Sequence, residues 1–485
     1  MMFDLLFREV TVVDGTGAAP YCADVAIRGE RIAAIGNLAG YTAQRVVAGA
    51  GRCLMPGFID VHTHDDTNVI RTPEMLAKIS QGVTTVIVGN CGISASPVTL
   101  TGAPPDPMNL LGAQDAFLYP TFGEYADAVE RACPSVNVAA LIGHTALRAN
   151  VMAQFDRPAA APELEQMCEA LEDALNAGAI GLSSGLAYTN ARQAPTAEMQ
   201  RLVDIVGAHG ALYTTHMRNE HDGLLDSLQE SFSTARRAGA DLVISHLKCA
   251  GAGNWGRAPL ALAALEKAAR EQPCNCDCYP YAASSTTLDA WRVDAEMEIF
   301  ITWSEPHPEM ARQTLKEIAE QWGVDLWQAT ERLRPAGAIY HMMSEDDVRK
   351  ILAHPLSMVG SDGLPNDPNP HPRLWGTFPR VLAHYCRDLH LFDLAEAVRK
   401  MTGLSAARFR LQDRGVVREG AFADVTLIDM MKIQDVATYS DPCRPAPGID
   451  LVVVNGAVSY EEGRVLRRQG RLLKRQKKAG AAGAA

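Results

Sequence analysis

Side chains that can bind a metal ion stand at the ends of several short apolar segments of this chain. His62 and His64 follow the apolar residues that begin at Met55. Because side chains on a strand alternate in direction, the two imidazoles of this His-x-His pair point the same way. Later apolar segments end, in chain order, in Cys91, His216, His246 and Asp362. A thiolate and imidazoles suit Zn2+, which takes three protein ligands and a water at catalytic sites.

This set of residues predicts hydrolysis by a water that a metal ion activates. Zinc lowers the pKa of a bound water and polarises a carbonyl oxygen. The Asp362 carboxylate would take the proton of that water and later pass it to a leaving nitrogen. One histidine or cysteine at a strand end is usually an ordinary core residue, so the prediction depends on the whole set.

The middle of the chain alternates strand-like and helix-like segments. Strands are predicted at residues 58–64, 84–91, 138–144, 179–184, 212–216, 242–246, 275–281 and 358–362. Amphipathic helices lie between several of them; in one, Met167, Leu171 and Leu175 recur at helical spacing before Gly178. This alternation predicts an α/β fold, a (β/α)8 or TIM barrel, whose active site lies at the carboxyl ends of the strands.

The sequence pattern at both ends of the chain differs from that of the middle. Residues 1–55 and 415–470 consist of short alternating apolar segments and turns, which predict a small β-sandwich domain built from both termini. The metal-dependent barrel is assigned to residues 56–414. Residues 284–350 interrupt the alternation of strands and helices in the barrel. We predict a helical insertion there that covers the barrel mouth as a lid. Residues 471–485, basic and then rich in alanine and glycine, are predicted to be a flexible tail.

The composition excludes several classes of partner. The chain has 485 residues and a net charge of −12, which argues against nucleic acid or an anionic membrane as a partner. No apolar run approaches the roughly 20 residues needed to span a bilayer. The 11 cysteines are odd in number and scattered, which favours a reducing compartment and predicts a cytoplasmic location. A small molecule is therefore the expected partner, and the oligomeric state stays open.

Short motifs along most of the chain resemble the N-acyl-D-amino-acid deacylases, or D-aminoacylases, of the amidohydrolase superfamily. These motifs are residues 56–65, 82–85, 89–92, 185–188, 215–218, 245–248 and 360–363. Residues 415–429 resemble the stretch that returns the chain to the β domain in that superfamily. The resemblance implies a zinc-dependent hydrolase that cleaves an N-acyl-D-amino acid into a carboxylate and a free D-amino acid.

The resemblance also implies roles for the metal-site residues. The family's tight zinc site maps to Cys91, His216 and His246. His62 and His64 map to a second, weaker metal position, whose occupancy the sequence leaves open. Zinc is therefore the expected cofactor.

Other residues resemble the acid–base and the substrate contacts of the family. The catalytic acid–base maps to Asp362. Tyr279, Ser285 and Arg292 resemble the set that holds the substrate α-carboxylate, with Arg292 as the charge partner. A fixed grip of this kind would also select the D over the L configuration.

Four more residues are weighed as contacts of the site. Lys248 faces the same way as His246 if the strand continues, and could bind a carboxylate, including that of an acidic substrate side chain. Tyr188 resembles a pocket residue of the family. His144 matches a family motif and either polarises the substrate carbonyl or braces the site. Arg373 lies in a Pro-rich loop after Asp362, from which it could reach the pocket, although a structural role is favoured over that one.

Other functions stay open from the residues. One is a cyclic-amide hydrolase of the hydantoinase or dihydroorotase kind, and another is a D-dipeptidase. Many binuclear amidohydrolases bridge two metals with a carboxylated lysine on the fourth strand. This chain has no lysine between Lys78 and Lys248, which counts against the cyclic-amide hydrolase. A non-catalytic assembly protein of the same fold should have lost metal ligands, and all the candidates are present. The preferred substrate side chain, acidic such as D-glutamate or apolar, is also left open.

Overall fold

The structure is a computed structural model that describes residues 2–476. Its strands form the barrel, a terminal β domain and two smaller sheets. In chain order they are β1 Phe3–Val12, β2 Tyr21–Arg28, β3 Arg31–Gly36, β4 Ala43–Ala48, β5 Cys53–Pro56, β6 Phe58–Asp60, β7 Val83–Val88, β8 Val98–Thr99, β9 Leu118–Tyr119, β10 Asn137–Gly143, β11 Gly181–Gly185, β12 Leu212–His216, β13 Asp241–Ile244, β14 Cys274–Cys278, β15 Ser284–Thr287, β16 Ile299–Ser304, β17 Ala336–Tyr340, β18 Ser357–Val359, β19 Val425–Ile428, β20 Ile449–Val454, β21 Ala457–Glu461 and β22 Arg464–Val465.

The helices mostly connect successive barrel strands. They are α1 Asn68–Arg71, α2 Leu76–Ile79, α3 Phe122–Ala132, α4 His144–Val151, α5 Ala161–Ala177, α6 Thr189–Arg192, α7 Thr196–Ala208, α8 Leu224–Ala238, α9 Ala258–Ala269, α10 Leu315–Trp322, α11 Leu326–Leu333, α12 Glu345–Ala353, α13 Arg373–Arg380, α14 Leu394–Met401 and α15 Gly403–Arg408. A π-helical segment, Val381–Asp388, continues α13. Single 3-10 turns lie at Met108–Leu111, Gln114–Ala116, Ala252–Asn254, Ala290–Arg292 and Pro308–Met310.

Eight parallel strands form the predicted barrel, in the order β18-β14-β13-β12-β11-β10-β7-β6. Strands β7, β10 and β12 are buried at every residue, as expected for parallel strands that are covered on both faces. The first and last strands meet through a bridge between Thr63 and Gly363, just past their ends. Each of these strands overlaps one of the eight segments predicted from the sequence, so the barrel prediction is confirmed.

Helix α5 shows how the connecting helices pack on the barrel. Its residues Met167, Leu171 and Leu175 recur on one face and are buried. The helix ends at Gly178, whose φ of 117° is a left-handed conformation that favours glycine. Strand β11 begins soon afterwards, so this stop signal returns the chain directly to the barrel.

The two ends of the chain form one continuous mixed sheet of nine strands. Its order is β22-β21-β20-β19-β5-β1-β2-β3, and β4 pairs with β1. Antiparallel pairing of β19 with β5 joins the C-terminal strands to the N-terminal ones. This sheet has its own core, which includes Phe7, Val25, Ile27, Val425 and Val453. A β domain made from both termini is therefore present.

The insertion between β14 and β18 differs from the helical prediction for residues 284–350. Helices α10 and α11 are present, but β15, β17 and β16 also form a three-stranded antiparallel sheet in that order. Strand β15 reads Ser-Ser-Thr-Thr, which has no apolar alternation, and its pairing partner β17 lies about 50 residues further along the chain. Propensity and local pattern could not reveal a strand of this kind.

The C-terminal segment contacts the barrel as far as it is described. Leu472 bridges Val138, and the Arg475 backbone N–H donates to the Gly178 carbonyl over 2.8 Å. Residues 471–476, predicted as part of a flexible tail, therefore pack against β10 and the end of α5. Residues 477–485 of that predicted tail lie outside the described residues. Within residues 2–476, no helix combines the length and apolarity needed to cross a membrane.

Candidate active site

Six of the predicted site residues lie at the carboxyl ends of five barrel strands. His62 and His64 follow β6, Cys91 follows β7, His216 ends β12, His246 follows β13 and Asp362 follows β18. All six side chains are buried. Parallel strands present their carboxyl ends at one face of the barrel, so residues far apart in the chain meet there.

Three of these residues have a left-handed backbone. The φ angles are 54° at Cys91, 35° at His246 and 51° at Asp362. Residues other than glycine rarely adopt this region, at a cost on the order of 1–3 kcal/mol each, and such strain clusters at functional sites. The barrel therefore holds these three residues in conformations that the isolated chain would avoid.

The sulfur of Cys91 lies at the centre of the cluster. Its Sγ is 3.1 Å from Nε2 of His62 and 3.3 Å from Nε2 of His246. The rings of His216 and His246 meet edge to face, with centroids 4.4 Å apart. Ligand atoms of Cys91, His216 and His246 all lie within 4.8 Å of one another, as do those of a second group formed by His62, His64, Cys91 and Asp362.

The chemistry of these atoms fits a zinc-like cation. Burial alone would raise the pKa of the Cys91 thiol, but the neighbouring His62 and His246 hold it well below its ordinary value, so a thiolate is favoured. Neither ring nitrogen of buried His216 has a hydrogen-bond partner in the described part of the chain. A thiolate beside nitrogen lone pairs without partners is the donor set that zinc prefers.

Asp362 connects this cluster to a buried arginine. Its Oδ1 lies 3.0 Å from Nε2 of His64 and 3.5 Å from Nε2 of His62, while its Oδ2 lies 3.0 Å from Nη2 of Arg373. Burial would raise the pKa of the carboxyl, but the charge of Arg373 and the two histidines hold it well below its ordinary value. Asp362 is therefore an ionised carboxylate in contact with the ligand cluster.

Two carboxylates behind the ligands were not predicted. Asp277 Oδ1 lies 3.3 Å from Nδ1 of His62 and accepts the backbone N–H of His246 over 2.8 Å. Glu220 Oε1 lies 3.1 Å from Nδ1 of His246. Carboxylates at the second nitrogen of a ligand histidine fix its ring orientation. Both had a signal in the sequence: Asp277 lies in a predicted strand, and Glu220 follows His216 by four residues.

Lys248, which the sequence suggested as a carboxylate-binding residue, contacts a carboxylate of the chain itself. Its Nζ lies 2.7 Å from Glu220 Oε1 and 2.7 Å from Nδ1 of His246. The lysine lies beside His246 although β13 ends at Ile244, so the strand does not continue to either residue. The pairing with Glu220 could not be predicted because that residue follows a different strand.

The other substrate candidates lie around the mouth. Tyr188 is buried with its ring 4.9 Å from that of His216. Arg292 is buried in the insertion, and its Nε and Nη2 atoms have no hydrogen-bond partner among the described residues. The same is true of Ser285 Oγ. The Tyr279 ring lies under the Arg373 guanidinium at 4.5 Å.

Arg373 and His144 both lie in buried ion pairs. Arg373, at the start of α13, is fully buried and contacts Asp362, so it does reach the site, which the sequence left as an alternative to a structural role. Only tertiary packing brings this helix start back to the carboxylate. His144 donates from Nε2 to Glu198 over 2.8 Å, next to Arg148, and makes no hydrogen bond to the candidate ligands in the described part of the chain.

A cavity of about 400 Å³ opens beside the ligand cluster. It is lined by Ala187, Arg192, Arg218, Asn219, Glu220, His221, Trp291 and Arg292. The Trp291 ring lies between two guanidiniums, those of Arg192 at 4.5 Å and Arg292 at 4.2 Å. Glu220, which lines this cavity, contacts His216 and His246. The arginines give the rest of the lining a cationic character, which suits an anionic small molecule.

Comparison with known proteins gives the family of the chain. Residues 45–460 match the Amidohydrolase family. The chain is 45% identical over 474 residues to a D-aminoacylase of Alcaligenes xylosoxydans xylosoxydans, which covers 96% of this chain and 98% of that protein. It is 46% identical over 473 residues to an N-acyl-D-glutamate deacylase of the same organism, covering 96% of each.

Two solved structures match over nearly the whole chain. One is a D-aminoacylase with a binuclear metal centre, described as having one-metal activation and second-metal attenuation; it is 45% identical, has a TM-score of 0.96, and covers 98% of this chain and 100% of that one. The other is an N-acyl-D-glutamate deacylase from Bordetella bronchiseptica, complexed with zinc and a phosphonate mimic of the tetrahedral intermediate. It is 42% identical with a TM-score of 0.95 and the same coverage of 98% and 100%. This chain belongs to the N-acyl-D-amino-acid deacylase family of the amidohydrolases.

Proposed function

We propose that this protein is a zinc-dependent hydrolase that cleaves the amide bond of N-acyl-D-amino acids and releases a carboxylate and a free D-amino acid. The observation that carries the proposal is the contact of an ionised carboxylate with the ligand cluster, Asp362 being 3.0 Å from His64. Similarity to a D-aminoacylase and to an N-acyl-D-glutamate deacylase supports the same substrate class.

The metal-holding residues follow from the two ligand groups. Cys91, His216 and His246 would hold the tight zinc ion, and His62 and His64 a second, weaker position. Bound there, zinc supplies Lewis-acid chemistry, which lowers the pKa of a water and polarises a carbonyl. The binuclear centre described for D-aminoacylase supports two positions of unequal role.

Asp362 moves the proton in this proposal. Its Oδ2 is held by Arg373, which leaves Oδ1 facing the two histidines of the His-x-His pair. As a carboxylate it accepts the proton of the attacking water, and as a carboxylic acid it then donates that proton to the leaving amide nitrogen. Because water is the attacking group, no covalent intermediate with the protein forms, and the leaving group departs as an amine.

Arg292 is the cation best suited to the substrate α-carboxylate. Lys248 faces Glu220 and Arg373 faces Asp362, whereas Arg292 has no carboxylate within ion-pair distance among residues 2–476. The unpartnered Ser285 hydroxyl would donate a further hydrogen bond. With the acyl carbonyl at the metal, these contacts fix two points, and the side-chain pocket is the third that distinguishes D from L.

The preferred substrate side chain depends on Arg373. Its Nη2 contacts both Asp362 and the Ser285 carbonyl, but its Nε and Nη1 are buried without partners. A buried guanidinium with free donors is costly unless a ligand satisfies them. This favours a second carboxylate on the substrate, as in N-acyl-D-glutamate, over an apolar side chain such as that of D-leucine.

The deciding experiment is a substrate panel with purified zinc-loaded protein. N-acetyl derivatives of D- and L-glutamate, aspartate, leucine, methionine and phenylalanine are compared by release of free amino acid, alongside a hydantoin, a dihydropyrimidine and D-dipeptides. We expect turnover in the D series, with D-glutamate ahead of D-leucine, and loss of turnover after chelation. Inactivity on every linear N-acyl-D-amino acid by protein that contains zinc would overturn the proposal.

The location belongs to the same proposal. All 11 cysteines are free in the structure, including the ligand Cys91. Reduced cysteines and a thiolate ligand suit a reducing compartment, so we place the enzyme in the cytoplasm.

A further inference from the structure

The barrel closes at a seam between its first strand, β6, and its last, β18. In the described part of the chain, the backbone contacts across this seam are the Thr63–Gly363 bridge and the hydrogen bond from the Asp362 N–H to the His62 carbonyl, at 2.8 Å. The loops on either side carry the His-x-His pair and Asp362. The relative position of these groups therefore depends on whatever else spans the seam.

A fully buried lysine lies in this seam. Lys78, on α2, has its Nζ 2.8 Å from Asp60 Oδ2, 2.8 Å from Ser361 Oγ and 3.2 Å from Asp65 Oδ2. The contacts with Asp60 and Ser361 are hydrogen bonds, and the contact with Asp65 is an ion pair. Burial would lower the pKa of Lys78, but the carboxylates of Asp60 and Asp65 raise it above its ordinary value, so the ammonium is retained.

The three partners of Lys78 flank the reacting groups. Asp60 and Asp65 stand on either side of the His-x-His pair, and Ser361 precedes Asp362. Asp60 Oδ1 also accepts the Ser361 N–H over 2.7 Å. One side chain therefore ties both edges of the first loop to the start of the last one.

Asp362 requires this support because its backbone is strained. Its φ of 51° lies in the left-handed region. The N–H groups of Ser361, Asp362 and Gly363 are each tied, to Asp60 Oδ1, to the His62 carbonyl and to Ser361 Oγ respectively. Two of these three contacts run through atoms that Lys78 touches or through its partner Asp60.

We propose that Lys78, acting through Ser361, is a positioning residue that sets the placement of Asp362 against the metal-ligand histidines. The inference rests on the proposed function, in which Asp362 transfers the proton. Lys78 touches neither substrate nor metal ligand; it holds the geometry in which Asp362 Oδ1 lies 3.0 Å from His64. Loss of this hold should slow proton transfer without weakening substrate binding.

The test uses Ser361→Ala in the full-length, zinc-loaded protein. This change removes the hydroxyl that links Lys78 to the Asp362 segment and leaves every charge in place. We expect kcat to fall about 10- to 100-fold, with KM within about twofold of the wild type and zinc content unchanged. The matched control is Ser357→Ala, a fully buried serine at the opposite end of β18, which should leave kcat unchanged.

Lys78→Met is a second, independent test of the proposal, and Lys400→Met is its matched control. Lys400 is also fully buried, but its Nζ faces the Ser357 and His354 carbonyls at the far end of β18. Lys78→Met should lower kcat at least as much as Ser361→Ala, whereas Lys400→Met should lower only the thermal midpoint. If Lys78→Met does not fold, Ser361→Ala decides alone.

The outcomes are separable from those of the proposed function. Wild-type protein that hydrolyses no N-acyl-D-amino acid removes the proposed function before any variant is compared. If the wild type is active and Ser361→Ala retains its kcat, Lys78 does not position Asp362. A raised KM, or loss of zinc, in Ser361→Ala would equally overturn the inference, because the seam would then serve binding and not proton transfer.

Discussion

Two buried clusters of the barrel have the same composition and different surroundings. Each contains a carboxylate, a histidine and an arginine in contact. The Asp362 cluster consists of Asp362, His64 and Arg373, and the Glu198 cluster consists of Glu198, His144 and Arg148. All six side chains are buried. Residue types and burial alone would therefore assign the two clusters the same role.

The difference lies in what else each cluster touches. In the Glu198 cluster, Arg148 donates to the carbonyls of Phe155 and Arg157, and Glu198 accepts the Ala159 N–H. These contacts fasten the loop between α4 and α5. In the Asp362 cluster the carboxylate instead lies 3.5 Å from a second histidine, His62, which belongs to a candidate metal-binding group. Both clusters contain buried side-chain nitrogens without hydrogen-bond partners, so the contact with candidate metal ligands is what distinguishes the Asp362 cluster from the brace at Glu198.

The pKa values of the two histidines, His144 and His64, are shifted in opposite directions. Burial lowers the pKa of His144 below its ordinary value in spite of Glu198. Burial also disfavours the charged form of His64, but the hydrogen bond with Asp362 and the charge of Cys91 raise its pKa to about 9. A site that concentrates negative charge in this way attracts a cation, and a metal ion would replace the proton.

The largest expected difference between the two clusters is the change in kcat when the charge of each carboxylate is removed in turn. Asp362→Asn keeps the shape but cannot accept a proton, so we expect kcat to fall about 10²- to 10⁴-fold. The zinc content of Asp362→Asn should stay close to that of the wild type. Glu198→Gln should leave kcat and KM unchanged. Activity assays on the best substrate of the panel, with zinc measured on the same preparations, check both variants.

Either of two results would contradict the roles assigned to these clusters. Full activity of Asp362→Asn would remove its role as acid–base. A large loss of kcat in Glu198→Gln would show that His144 serves the reaction, which is the role that its family motif leaves open.

The ligand set was accessible from the sequence because each member follows a short apolar strand. Strand periodicity fixed that His62 and His64 share a face, and barrel closure brought Cys91, His216 and His246 to them. No knowledge of side-chain contacts was needed, since the carboxyl ends of parallel strands meet at one face. The same reasoning located Asp362 after the eighth strand.

Pairings between side chains on different strand ends were not accessible in this way. Lys248 lies beyond the end of β13, and its partner Glu220 comes from the preceding βα unit. Arg373 reaches Asp362 only because the start of α13 packs back against the end of β18. The strands of the insertion depend on partners far along the chain, and β15 carries no apolar signal of its own.

Arg292 is a third buried arginine, and it has no carboxylate within ion-pair distance among residues 2–476. Arg292→Gln removes the charge partner of the substrate α-carboxylate. A charge-assisted hydrogen bond contributes about 1.5–3 kcal/mol, so we expect KM to rise about 10- to 150-fold with a smaller change in kcat. Steady-state kinetics with the best N-acetyl-D-amino acid measure both parameters.

Arg334→Gln is the matched control for this change. Arg334 lies in the same insertion but pairs with Asp289 and Glu331 and is partly exposed. Its loss should leave KM unchanged. An unaltered KM in Arg292→Gln would instead assign the α-carboxylate to another cation.

The pH dependence of stability tests the Glu198 cluster as a brace, with a smaller effect. Burial would raise the pKa of Glu198, but the hydrogen bond with His144 and the charges of His144 and Arg148 lower it from 4.5 to about 2. A carboxyl with a depressed pKa stabilises the fold fully above its unfolded value and loses that contribution as the pH falls through its folded value. Glu198→Gln should therefore be less stable than the wild type by about 3 kcal/mol at pH 6, narrowing to roughly half of that by pH 3. Urea unfolding across this pH range measures the difference in the free energy of unfolding between Glu198→Gln and the wild type. A difference that does not change with pH would mean that the ion pair does not brace the loop.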